Sequence, residues 1–220
     1  MNKMMMISGQ ITPLSSQSQT EINILTIISR LNQVYANQLL ADFTLHRGGL
    51  LEAQVKPNAD LLQILDYLHL SLAEGYQLQI GIGLGDLDDA VQKTSIFSSN
   101  SQAQREAEKA LTLVQTQDDY GSRANGFSSD YPHIDKVINS LLATSDFMRD
   151  RWSHSQKQFV LRLVETGIYS EHFKQKSLAQ KLKLSQSAFT KRVKSTGIKV
   201  YLRNQETAME LMMQLSNKKR

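Results

Sequence analysis

Cysteine is absent from the 220-residue chain, which excludes disulfides, thiolate metal sites and cysteine nucleophiles. No run approaches the roughly 18 apolar residues that a membrane span needs. The opening MNKMMMISG lacks the basic region and long apolar core of a secretory signal. A cytoplasmic protein with no membrane partner is the expectation. Acid is scarce in one place: residues 149–220 carry 16 Lys and Arg against 5 Asp and Glu, a net of +11, whereas residues 1–148 carry 9 against 16, a net of −7. A solvated face would mix the signs. Positive charge gathered into one segment is the footprint expected of a nucleic-acid-binding module, because phosphate contacts supply most non-specific affinity. With 40% hydrophobic residues, the chain can bury a core as one large or two small domains.

Catalytic constellations are also missing. The histidines His46, His69, His133, His154 and His172 show no ligand spacing, so no metal site is read from them. Ser8-Gly9 is no nucleophile elbow, and nothing marks a Ser-His-Asp set. Gly81-Ile82-Gly83-Leu84-Gly85 resembles a dinucleotide loop only superficially, since it lies inside a strand pattern and Asp86 to Asp89 would repel a pyrophosphate. No cofactor is implied.

What is present is concentrated near the end, in KSLAQKLKLSQSAFTKRVKSTG, Lys176 to Gly197. Leu178, Leu182, Leu184, Phe189 and Val193 form an apolar seam, and the small Ala179 sits where two helices would cross closely, the pattern of a helix-turn-helix. The first helix is expected over Ser177 to Lys183, and Ser185 serves as N-cap of the second. Lys183 falls in the turn, where glycine often supplies a left-handed conformation that lysine adopts at modest cost. Ser185, Gln186, Ser187, Thr190, Lys191, Arg192 and Lys194 are the candidate DNA-binding residues, types suited to base edges and phosphates. A plain helical hairpin that docks on protein would give the same spacing.

The remainder reads in order as strand (Met4 to Ser8), helix (Gln19 to Leu40), two strands joined at Gly48-Gly49 (Phe43 to Val55), helix (Asn58 to Glu74, with Asn58 as N-cap) and strand (Tyr76 to Leu84). In the first helix the apolar face takes in Val34. Gly81, Gly83 and Gly85 leave room for something to pack closely on the last strand. This βαββαβ order predicts a ferredoxin-like sheet with two helices on one face. A helix from Ala103 to Gln115 and a loop up to Asp130 follow. A connector helix then has Ile134, Val137, Ile138, Leu141, Leu142 and Phe147 on its apolar face. Trp152 to Glu165 is expected as a support helix and Thr207 to Leu215 as a short final one. The fold class is therefore α+β: residues 1–128 a ferredoxin-like domain, 129–151 a connector and 152–220 an all-α helix-turn-helix domain.

These motifs together resemble the SatD family over nearly the whole chain. The hairpin FTLHRGGLLEAQVK aligns with a GDEFQ-like family segment, Gly81-Ile82-Gly83 and Gly85 match a GIGxG strand, and Trp152, Gln156 and the run from Leu178 to Gly197 resemble the family's basic C-terminal domain. The N-terminal half is similar in layout to the class III nucleotidyl cyclase and GGDEF catalytic fold, in which the first strand and hairpin supply metal-binding acids. Here Gln10 stands after the first strand, and Gly49 and Leu50 stand on the hairpin. Two-metal phosphoryl chemistry needs closely spaced carboxylates. Glu52 and Asp86 remain nearby, but a lone acid near a strand end reads as a solvated surface residue.

The resemblance thus implies a DNA-binding transcriptional regulator with a catalytically inactive, cyclase-like domain for dimerisation or sensing. Its expected partners are double-stranded DNA and a second copy of the chain. An enzyme or nucleotide-binding domain retaining activity through substitute acids, and a protein-interaction adaptor, are the competing readings.

Overall fold

A computed structural model of the chain describes residues 3–14, 20–57, 60–72, 75–86, 101–117 and 119–218. The N-cap read at Asn58 lies outside them, as do parts of the expected connections and the last two residues. The fold is mixed α/β: one five-stranded sheet and, among the described residues, eight α-helices. In chain order these are β1 (Lys3–Pro13), α1 (Thr20–Tyr35), β2 (Leu39–Leu45), β3 (Leu50–Val55), α2 (Leu61–Leu72), β4 (Tyr76–Asp86), α3 (Gln102–Thr116), β5 (Asn125–Ser128), α4 (Pro132–Asp150), α5 (His154–Glu165), α6 (Gln175–Lys181), α7 (Gln186–Thr196) and α8 (Ile198–Asn217). Strand order is β2-β3-β1-β4-β5, with β1 antiparallel to both β3 and β4, and β5 parallel to β4.

β1 is the central strand and extends well past its apolar run, because β4 pairs with it from Lys3↔Asp86 to Pro13↔Tyr76. Its alternation separates two faces. Met5 and Ile7 lie opposite Leu84 and Ile82 and join the main core with Ile28 and Leu31 of α1 and Leu65 and Leu68 of α2. Met4 and Met6 lie opposite Gly85 and Gly83, and α3 covers this face with Ala103 and Ala107. The glycines permit backbone-to-backbone packing: a Cβ built on Gly83 would lie 2.1 Å from the Ala103 carbonyl oxygen, and one on Gly81 2.1 Å from that of Ala107. Gly83→Ala therefore forces α3 off the sheet. The expected loss is on the order of 3 kcal/mol, the upper range for overpacking a core, measured by urea unfolding. A variant with unchanged stability would show that α3 does not seat on this strand.

Several elements differ from the sequence reading. The stretch read as loop up to Asp130 contains β5, which has too few residues to display a period and is a strand only through its pairing with β4. The final helix is not short: Gly197, at φ 63°, ends α7, and α8 restarts at once, burying Ile198, Tyr201, Leu202, Gln205, Ala208, Met209, Met212 and Leu215. Val34, placed on the buried face of α1, is 59% exposed. On α4, Val137 (52%) and Phe147 (47%) are exposed as well, because the helix turns Asp135, Ser145, Asp146 and Arg149 inward instead.

Two of those groups, Asp146 and Arg149, belong to a buried network across the chain, whereas Asp135 bonds Ser129 nearby. Arg149 Nη1 donates to Asp66 Oδ1 of α2 at 3.0 Å and to Tyr201 Oη of α8 at 3.3 Å, while Nη2 donates to Asp146 Oδ1 at 2.6 Å. Tyr169 and Tyr201 both donate to Asp66. Asp146 accepts from the backbone N–H groups of Ala124 (2.8 Å) and Asn125 (2.7 Å), and the Asn125 side chain reaches His69 at 3.0 Å. Burial raises the Asp66 carboxyl, with Arg149 opposing, and desolvation holds His69 well below its ordinary value. Burial works against the Arg149 cation, but Tyr201, Asp146 and Asp66 more than offset it and carry its pKa upward. The apolar core is equally continuous: residues of β1, α2, α4, α5, α7 and α8 belong to one cluster that runs across the boundaries read at 128 and 151.

Candidate nucleic-acid interface

The seam of the basic segment folds as its spacing requires. Leu178, Ala179, Leu182, Phe189 and Val193 are buried, and Leu184 is half-buried. The first helix runs Gln175–Lys181, slightly earlier than expected. Its end is closed by Leu182 N–H to Leu178 C=O (2.9 Å) and Leu184 N–H to Ala179 C=O (2.8 Å), with Lys183 between them in the left-handed region at φ 55°. Ser185 Oγ accepts from Ala188 N–H at 3.2 Å, so the second helix has the cap that its sequence signals.

Side chains of α5 and its flanks hold α7 in place. Ser153 and Gln156 form a capping box that starts α5, so Trp152 lies just before the helix rather than inside it. The Phe159 and Phe189 rings meet edge-on at 5.6 Å, and Phe173 adds a second edge contact at 6.2 Å. Trp152 Nε1 donates to Thr196 C=O (2.8 Å) and Gln156 Nε2 to Ser195 C=O (2.9 Å), satisfying carbonyls at the C-terminal end of α7. Arg162 Nη2 donates to Leu182 C=O at 2.7 Å, tying α5 to the turn.

With its inner side committed in this way, α7 presents Gln186, Ser187, Thr190, Lys191 and Lys194, joined by Ser195, around one shallow surface groove. Gln186, Ser187, Lys191 and Lys194 are exposed. Thr190 is half-buried and donates to Gln175 Oε1 at 3.4 Å. Ser185 is at the start of this face, its hydroxyl 3.2 Å from that of Ser187. Arg192 stands apart: it is half-buried, with its guanidinium 5.8 Å from the centre of the Phe159 ring. Its guanidinium thus packs against α5.

A model of the SatD family matches residues 5–212. The chain belongs to the SatD family. No curated protein and no solved structure gives a match. The match covers both the sheet and the basic helices, so the two halves belong to one SatD architecture.

In this SatD protein the positions read as lost acids do come together. Gln10 pairs in register with Leu50, and its Nε2 donates to Gly48 C=O at 2.6 Å. Gly48 (φ 80°) and Gly49 (φ 81°) turn the hairpin tip back over β1, and a Cβ on Gly49 would lie 2.1 Å from Ile11 C=O. An amide thus fills the place between strand and hairpin. Glu52 departs from the sequence reading: it is 6% exposed rather than a solvated surface acid, because β3 lies inside the sheet, with Glu52 opposite Ser8 of β1. Burial raises its carboxyl, with His46 opposing from 3.6 Å. Asp86 sits at the end of β4, paired in register with Lys3. Among the described residues no three His, Asp or Glu side chains are grouped as a metal ion would need.

Proposed function

We propose that this SatD protein is a DNA-binding transcriptional regulator in which α6 and α7 form a helix-turn-helix and α7 enters the major groove of double-stranded DNA. The observation that carries the reading is the face of α7: polar and basic side chains around one groove, on a helix whose other side is fastened to α5 by Phe159, Trp152 and Gln156. Gln186, Ser187 and Thr190 suit base edges. Lys191 and Lys194 suit phosphates, and the +11 balance of residues 149–220 supplies the long-range attraction. Binding of the full chain to random and selected duplex fragments, followed by anisotropy between about 50 and 200 mM salt, tests it. Affinity that ignores salt and sequence would point instead to an adaptor docking on protein.

The sheet unit, ferredoxin-like in its β2-β3-β1-β4 order, is read as catalytically silent. Gln10, Gly49 and Leu50 bring no carboxylate to the place where cyclase-like chemistry needs metal ligands, and the lone Glu52 is buried. No Mg²⁺- or Mn²⁺-dependent turnover of ATP or GTP is expected. Turnover abolished by Glu52→Gln would overturn this.

The unit serves instead in pairing. One recognition helix reads few base pairs, and two-fold assembly onto half-sites is the usual remedy. Val137 and Phe147 on α4 and Leu25 and Val34 on α1 are exposed apolar side chains available to a second copy. Light scattering at micromolar concentration is expected to give about twice the 24.9 kDa chain mass. A species that stays monomeric both free and on DNA would remove the dimer from the proposal.

A further inference from the structure

Both edges of the sheet are met by side chains of a helix. In β5, which pairs with β4 in parallel, alternate residues turn their backbone away from the ladder, and these outward N–H groups meet α4. Asp146 Oδ2 accepts from Asn125 at 2.7 Å, Asn139 Oδ1 from Phe127 at 2.8 Å and, just past the strand, Asp135 Oδ2 from Ser129 at 2.8 Å. Asn139 also returns a bond, its Nδ2 donating to Phe127 C=O at 2.8 Å. The opposite edge repeats the arrangement. In the outer strand β2, Phe43 N–H donates to Asn32 Oδ1 of α1, and Asn32 Nδ2 donates to Phe43 C=O, both at 2.9 Å. Each primary amide thus makes the reciprocal pair of bonds that a residue of a neighbouring antiparallel strand would make. Only an amide side chain brings one acceptor and one donor to the same backbone residue in this way, since a carboxylate accepts alone. Phe127 is 1% exposed and Phe43 2%, so open backbone at either place would be costly and ready to pair.

We propose that Asn32 and Asn139 are locks on the two sheet edges: each fills the hydrogen-bonding place of a further strand, so that a second copy of the chain does not add to the sheet. Two copies then meet without extending it, and the exposed strand edge that invites aggregation is closed from within the chain. β2 is guarded a second time, because its register against β3 shifts between Leu39 and Ala41 and again between Ala41 and Thr44, which bends the strand away from flat pairing. The locks stand or fall apart from the DNA and dimer readings, and their test uses no DNA.

Amide hydrogen exchange of the full-length chain is followed residue by residue by NMR. In the parent, the Phe43 and Phe127 N–H groups are expected to exchange about a hundredfold or more slower than in an unstructured peptide, although both lie on outer strands. N32A is expected to speed exchange at Phe43 by about tenfold and to leave Phe127 alone, and N139A the reverse, the scale of one hydrogen bond. Fast exchange in the parent means that the edges are open. Exchange that stays slow in its own variant means that a strand of a second copy, not the amide, is the acceptor. Either result overturns the proposal. The double variant N32A/N139A is also expected to form larger species than the parent as concentration rises, with an intermolecular strand signal in the infrared. Melting curves show which variants are folded, and N32A carries this second test if the double variant is not. A folded variant with the parent's size distribution overturns the locking role and leaves the amides as structural hydrogen bonds.

Discussion

Replacing Arg149 by methionine is expected to remove about 3–5 kcal/mol of folding stability at neutral pH, the cost of breaking a buried ion pair from one side. The methionine keeps much of the arginine's apolar stem but leaves two carboxylates, Asp66 and Asp146, each 1% exposed, without the cation between them. Tyr169 and Tyr201 still donate to Asp66, and backbone N–H groups still donate to Asp146, so neither loses every partner. What is lost is the charge balance in a region where water cannot replace it. A domain of ordinary stability has about 5–15 kcal/mol in all, so the change takes a large share. Adding Asp66→Asn to the methionine variant is expected to restore part of the loss, since one uncompensated charge disappears. Urea unfolding of the four proteins of the cycle checks both statements. A loss below about 1 kcal/mol, the scale of an exposed pair, would mean that the network is hydrated and does not join the two halves.

Replacing Lys191 and Lys194 together by alanine is expected to weaken DNA binding on every sequence and to make the slope of log K against log salt less negative by about 2, one unit for each phosphate contact removed. Both lysines are exposed on the outer face of α7 and make no side-chain hydrogen bond among the described residues, so the melting temperature should stay near that of the parent. Arg192 makes a useful contrast. Its guanidinium lies over the Phe159 ring, and Arg192→Ala should lower stability as well as affinity. Gln186 or Ser187 substitutions should instead change which sequences are preferred while leaving the salt slope alone. An unchanged affinity and slope in the double-lysine variant would place the DNA, or another partner, on a different surface.

The cap, turn and seam of α6 and α7 were legible because each is a local signal. Ser185 caps because its own hydroxyl reaches Ala188 N–H, and the spacing of Leu178, Leu182, Phe189 and Val193 follows from helical geometry alone. The hairpin at Gly48-Gly49 and the close packing on Gly81, Gly83 and Gly85 were legible for a related reason: without a Cβ, a residue permits conformations and distances that others do not. What covers the glycines, α3, was legible as a helix but not as their partner.

The sequence by itself determined the local elements and the segregation of charge, since period, capping and residue type act over a few neighbours. Only the tertiary structure decided which faces are interior. Val137 and Phe147 point outward and Asp146 and Arg149 inward because Asp66 and Tyr201, 83 and 52 residues from Arg149, arrive to satisfy them. β5 is a strand because β4 offers it an edge, and Glu52 is buried because β3 lies inside the sheet, with Glu52 opposite Ser8 of β1. Burial of a charge or a lone strand is unfavourable until the distant partner is in place, and no short window of residues contains that partner.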